Sequence, residues 1–111
     1  DENMRPTINS YMYGNAKALA LLANEVNNPT LTQKYASRAA VLKQLVQDSL
    51  WDAKDKFFKT KMAKGDTLHG AREAIGFIPW YFNLPADKKE YAKAWSQLLD
   101  TAGFKAKWGL T

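Results

Sequence analysis

Asn27-Asn28-Pro29-Thr30-Leu31-Thr32-Gln33 divides the amino-terminal half of the chain and decides its architecture. Pro29 lacks a backbone N–H and restricts the residue before it, so this run stops any helix arriving from upstream. Thr30-Leu31-Thr32-Gln33 then reads as a capping box, the Thr30 hydroxyl serving the Gln33 amide and the Gln33 side chain reaching back. Only about three residues separate the helix that ends from the helix that starts, so the spacing predicts an antiparallel hairpin.

Upstream, Arg5-Pro6-Thr7 announces the first helix, with Thr7 or Asn9 as its N-cap. Ile8, Met12, Ala16, Leu19, Leu22 and Val26 recur at helical spacing, flanked by Tyr11 and Tyr13. Downstream, Tyr35, Ala39, Leu42, Val46 and Leu50 form one face of the second helix, and Lys34, Arg38, Lys43, Gln44 and Gln47 form its polar side. From Trp51 to Gly70 the helical period disappears. Lys56 to Met62 reads as a short extended segment, Ala63 to Asp66 as a turn, and Ala71 to Ile75 as a helical turn. A last helix is expected from about Ala86 to Thr101, with Tyr91, Trp95, Leu98 and Leu99 as its apolar stripe and Gly103 at its end. In the loop that follows, Trp108-Gly109-Leu110 is the part expected to dock. The fold class is therefore mainly α: a helical hairpin, a long irregular loop and a third helix.

The 111 residues fit one domain by length, and 46% hydrophobic content argues against disorder. No apolar run is long enough to cross a bilayer, and no membrane partner is expected. The absence of cysteine excludes disulfides, thiolate metal sites and a cysteine nucleophile. His69, the single histidine, lies between glycines in Gly65-Asp66-Thr67-Leu68-His69-Gly70 and reads as an exposed loop imidazole. Nothing forms an oxygen-rich loop with calcium-site spacing, so no metal and no cofactor is expected. The net charge is +5, with Lys54, Lys56, Lys59, Lys61 and Lys64 clustered in the middle around Phe57 and Phe58. Such a face can bind phosphate backbones. Arginine is scarce, however, and Asp52, Asp55 and Asp66 dilute the field. A solvated lysine-rich loop and no nucleic-acid partner are the expectation. The chain opens at Asp1-Glu2-Asn3, which reads as a processed or engineered start, and its abrupt ending reads as a piece of something larger.

Gly76-Phe77-Ile78-Pro79-Trp80-Tyr81-Phe82-Asn83-Leu84-Pro85 is the densest aromatic block. Two prolines forbid one helix through it, and three consecutive rings cannot all face one core. The rings either pack between helices or stand beside a cavity as platforms for flat, C–H-rich ligands such as sugars.

Arg5-Pro6-Thr7-Ile8-Asn9-Ser10-Tyr11-Met12-Tyr13-Gly14, Leu50-Trp51-Asp52 followed by Phe57-Phe58, and Arg72-Glu73 before Gly76-Phe77-Ile78-Pro79-Trp80-Tyr81-Phe82 together resemble one group of glycosidases. These are the mannosylglycerate-hydrolase-like and processing-α-glucosidase-like glycoside hydrolases, whose catalytic domains are (α/α)6 toroids. Phe104 to Thr111 is similar to the loop that follows in such domains. The resemblance covers nearly the whole chain in order. It implies that residues 1–111 are a single partial domain, the middle of a larger toroid.

The resemblance further implies inverting hydrolysis by two carboxyl groups roughly 6.5–9.5 Å apart, one protonating the leaving oxygen and one activating water. Asp1-Glu2-Asn3-Met4-Arg5 keeps the family's aspartate-to-arginine spacing and makes Asp1 the candidate general acid, although Glu2 stands where asparagine is usual. The base resembles a glutamate beyond Thr111, so the piece alone is expected to be inactive. For substrate contact the candidates are Trp80, Tyr81, Arg5, Glu73, Asn9 and Tyr13. Trp80 would stack on a pyranose, and Arg5 would donate a forked pair of hydrogen bonds. The implied partners are an oligosaccharide or glycoside and the rest of the parent domain, and the implied compartment is periplasmic or secreted. Self-association through exposed apolar helix faces is expected of the isolated piece. The competing reading is a stand-alone helical module that presents a groove to a protein or peptide.

Overall fold

A computed structural model describes residues 3–110 of the chain. Helix α1 (Pro6–Glu25) and helix α2 (Pro29–Leu50) form the antiparallel hairpin that the sequence predicts. Their connection is a tight helix-ending turn. Asn27 takes a left-handed φ of 55°, its amide donates to the Asn24 carbonyl, and the Asn28 amide donates to the Ala23 carbonyl. That pair of bonds satisfies two carbonyls which the end of α1 would otherwise leave orphaned.

The caps differ from the sequence expectation. Pro6 is the first helical residue of α1, because its missing N–H costs nothing there, and extended Arg5 takes the N-cap position instead of Thr7 or Asn9. Likewise Pro29 opens α2, and the Asn28 side chain accepts from the Leu31 amide at 3.1 Å. Thr30 and Gln33 therefore form no capping box, and Gln33 donates to the Ser37 hydroxyl instead.

The α1 stripe is only partly the packed face: Met12, Ala16 and Leu19 line a groove with Tyr35 and Arg38 of α2, and of the stripe Ala16 alone is buried. Ile8, Leu19, Leu22 and Val26 are exposed, at 72% for Val26, while Ser10, Tyr13, Ala16 and Ala23 are buried. Small side chains on this inner face let α1 lie close to α2, whose Ala39, Val46 and Leu50 are buried as expected. Gly14 serves a different close approach, to the segment after Tyr81: a Cβ there would meet the Phe82 ring.

Between residues 51 and 70 the chain forms a small β layer. Strand β1 (Trp51–Asp52) pairs antiparallel with strand β2 (Phe57–Phe58), in the register Trp51 opposite Phe58. Single bridges then join Lys61 to Met4 on one side and to Leu68 on the other. Successive strand side chains point to opposite faces, and β2 uses this to feed two cores. Phe58 joins Tyr13, Ala39, Val46, Leu50 and Leu84; Phe57 joins Ala94 and Phe104. Trp51 and Trp80 pack against both.

A 3₁₀ turn (Ala74–Phe77) leads into helix α3 (Ile78–Tyr81). Gly76 is needed at this turn, since a Cβ would meet the Phe57 ring and the Phe58 carbonyl. The expected last helix from Ala86 to Thr101 is not one α-helix. It is helix α4 (Lys89–Ala92) continued by a 3₁₀ segment (Lys93–Leu98). So short a helix is marginal by itself, and tertiary contacts set its pitch. Trp95 stacks on Phe77 at 5.1 Å and Gln97 donates to the Asp55 carbonyl. A final hairpin pairs strand β3 (Lys105–Ala106) with strand β4 (Gly109–Leu110). Here Phe104 docks and Trp108 does not, being 89% exposed under the Lys107 ammonium at 4.8 Å.

Candidate functional site

The β layer brings distant residues together at the start of α1. The Met4–Lys61 bridge, with hydrogen bonds of 2.9 and 2.8 Å in the two directions, fixes Asn3 and Arg5 beside Thr60 and Met62. The His69 amide donates to the Thr60 carbonyl at 2.7 Å, and Thr60 in turn donates its hydroxyl to Glu73 Oε2 at 3.2 Å. The result is a cleft of about 150 Å³ lined by Asn3, Arg5, Thr60, Met62, His69 and Glu73.

A polar network runs through the residues next in sequence to Thr60 and Glu73. Lys59, buried beside Thr60, donates to Asp52 Oδ2 at 2.8 Å and to Asp55 Oδ2. Asp52 Oδ1 meanwhile accepts from the amides of Lys54 and Asp55, closing the β1–β2 turn. Gln97 joins Asp55 to Arg72, accepting at Oε1 from the Arg72 guanidinium at 2.7 Å. Burial alone would raise the Asp52 carboxyl, but hydrogen bonds from Lys59 and the two amides hold it below its ordinary value of 3.8. Burial would lower Lys59, yet the two carboxylates hold it above its ordinary 10.5. The lysine cluster is thus not a purely solvated loop. Lys59 is buried, and Lys56 and Lys61 pair with Glu90 and Asp66 at 3.0 and 2.9 Å.

Of the sequence candidates, Arg5 and Glu73 share the cleft. Asn9 sits one turn into α1 and donates its amide to the Arg5 carbonyl at 2.8 Å. Tyr13 is buried in the hairpin core at 5% exposure, and desolvation raises its hydroxyl. Trp80 is half-buried, edge-on to Phe58 and Trp95 at 5.4 Å each, and lines a different depression with Tyr91 and Trp95. Tyr81 is 80% exposed and edge-on to Phe82. Asp1 lies outside the described residues. Within the aromatic block Phe77 and Trp80 pack, and Tyr81 projects into solvent. Thr60 and His69 were not singled out as site residues by sequence. The signal for Thr60 was the extended stretch from Lys56 to Met62, which says nothing of its partner strand; His69 is an exposed loop residue, as its sequence setting predicts. Among the described residues no group of three or more carboxylate or imidazole side chains converges as a metal site. No helix there is long and apolar enough to cross a membrane.

The family model for the mannosylglycerate hydrolase MGH1-like glycoside hydrolase domain matches residues 1–111. The chain belongs to this glycoside hydrolase family. A solved structure named a sialidase is similar, with 48% identity, a TM-score of 0.91 and 96% of this chain covered. The chain spans about 10% of the length of that structure. A comparison with curated proteins finds no match. The mainly helical fold agrees with a segment of a helical glycoside hydrolase domain.

Proposed function

We propose that these 111 residues form one sector, a single partial domain, of a toroidal catalytic domain that hydrolyses an α-glycosidic bond with inversion. The observation that supports this reading is the polar cleft of Arg5 and Glu73 inside a chain that matches a glycoside hydrolase family along its whole length. Asn3 lines that cleft, and Asp1 precedes it by two residues in sequence, which suits Asp1 as the general acid. A guanidinium next to a carboxyl can orient it and donate to sugar hydroxyls with the same planar fork. Trp80 and Tyr81 offer apolar ring faces, and Asn9 holds the backbone of Arg5. Tyr13 supports this end of α1 from the hairpin core. The base is a glutamate outside these residues.

The test is hydrolysis of p-nitrophenyl α-glucoside, α-mannoside and α-rhamnoside by the full-length parent protein, with the anomer of the first-formed product read by NMR. Release of the β-anomer from an α-glycoside, lost by at least 1000-fold in Asp1→Asn, is the expected result. Retention of configuration would remove the inverting mechanism. Full activity in Asp1→Asn would remove Asp1 as the acid.

A further inference from the structure

The cleft contains two side chains whose free atoms are complementary. Glu73 has one carboxylate oxygen tied to the Thr60 hydroxyl, and among the described residues Oε1 has no protein partner. His69 accepts at Nδ1 from the Ala71 amide at 3.2 Å. An accepting Nδ1 carries a lone pair, so the neutral ring bears its proton on Nε2. The nitrogen left for an occupant of the cleft is therefore a donor. Glu73 supplies an acceptor to the same cleft; the His69 amide is held by the Thr60 carbonyl, and the Glu73 carboxylate by the Thr60 hydroxyl.

The rigidity of this pair comes from the polar network beside it. Thr60 is 4% exposed, and its neighbour Lys59 is locked to Asp52 and Asp55. Arg72, the neighbour of Glu73, is locked through Gln97 to the Asp55 carbonyl. Two adjacent pairs, Lys59-Thr60 and Arg72-Glu73, thus close one ring of polar contacts, and Glu73 cannot rotate freely away from the cleft. Holding a carboxylate in one geometry before the ligand arrives lowers the ordering cost of binding.

We propose that Glu73 and His69 clamp two hydroxyls of a pyranoside, Glu73 Oε1 accepting from one and His69 Nε2 donating to the oxygen of the other, with Thr60 as the residue that positions Glu73. This deepens the glycosidase reading and rests on it for the substrate class. A diol fits because each hydroxyl is both donor and acceptor, so an acceptor and a donor lining one cleft select a pair of hydroxyls over an apolar or purely anionic group.

Calorimetric titration of the full-length parent with methyl α-glucoside, α-mannoside and α-rhamnoside tests the clamp without turnover, and hydrolysis is measured on the same preparations. At least one sugar is expected to bind. His69→Ala and Glu73→Gln should each weaken it roughly tenfold, the loss of one hydrogen bond to a charged or fixed partner. Thr60→Val should weaken it comparably and Thr60→Ser should restore it, which a general packing defect would not do. Binding within twofold of the parent in all three weakened variants overturns the clamp, even where hydrolysis upholds the glycosidase reading. Failure of the unsubstituted protein to bind any of the three sugars also overturns it. Binding lost on substitution, without hydrolysis of any glycoside, supports the clamp while the hydrolase reading fails.

Discussion

Tyr81 and Trp80 are adjacent in sequence, yet the structure gives them different work. Tyr81 is 80% exposed, so Tyr81→Ala should leave the unfolding midpoint unchanged. If it contacts sugar, kcat/KM of the full enzyme should fall several-fold, and unchanged kinetics would take Tyr81 out of the site. Trp80 packs on Phe58 and Trp95, so Trp80→Ala should cost about 2 kcal/mol of stability before any effect on catalysis. The Lys59 pair predicts a pH dependence of opposite sign at its two ends. Asp52 is held below 3.8, so its share of stability is complete above that value and is lost as pH falls through the lowered one. Lys59 is held above 10.5, so its share is complete below that value and is lost as pH rises through the raised one. Denaturation midpoints followed against pH should therefore show an acid and an alkaline limb that Lys59→Met flattens. Limbs of equal steepness in that variant would assign them to other groups.

Among the elements, the hairpin was legible because a proline and two asparagines leave a helix no way through. Its caps were not. A capping box and a proline at the first helical position compete for the same turn, and Pro29 decides it by fixing the start one residue before Thr30. Asn28→Ala should accordingly cost about 1 kcal/mol in urea denaturation, while Thr30→Ala costs a few tenths. The reverse order would restore the capping box. The last helix shows the opposite limit. Its periodicity was real, but the positions of Phe77, Asp55 and Arg72, all remote in sequence, set the pitch of residues 93–98. The site was half legible for the same reason. Arg5 and Glu73 stand in recognisable motifs, whereas Thr60 and His69 enter through bridges whose partners no local pattern names.

For the molecule as a whole, the exposed line of Ile8, Leu19, Leu22 and Val26, with Val41 at 58% and Leu45 at 50% on α2, is too apolar to stay in water alone. On the proposed reading it meets neighbouring helices of the parent domain. The isolated chain should then self-associate in sedimentation experiments and bind a hydrophobic dye, and the full-length protein should do neither. A monodisperse, dye-silent chain with cooperative unfolding would favour an independent helical module.

The alanine-lined contact between α1 and α2 gives the hairpin two faces with different tolerance to change. Larger residues at Ala16, Ala23 or Ala39 should be costly in any context, because all three side chains are already buried. Polar residues at Leu19, Leu22 or Val26 should be harmless in the isolated chain and damaging in the parent. Saturation mutagenesis of the two would therefore yield fitness maps that agree along one side of α1 and diverge along the other. The line of divergence would trace, residue by residue, the seam between this sector and the next.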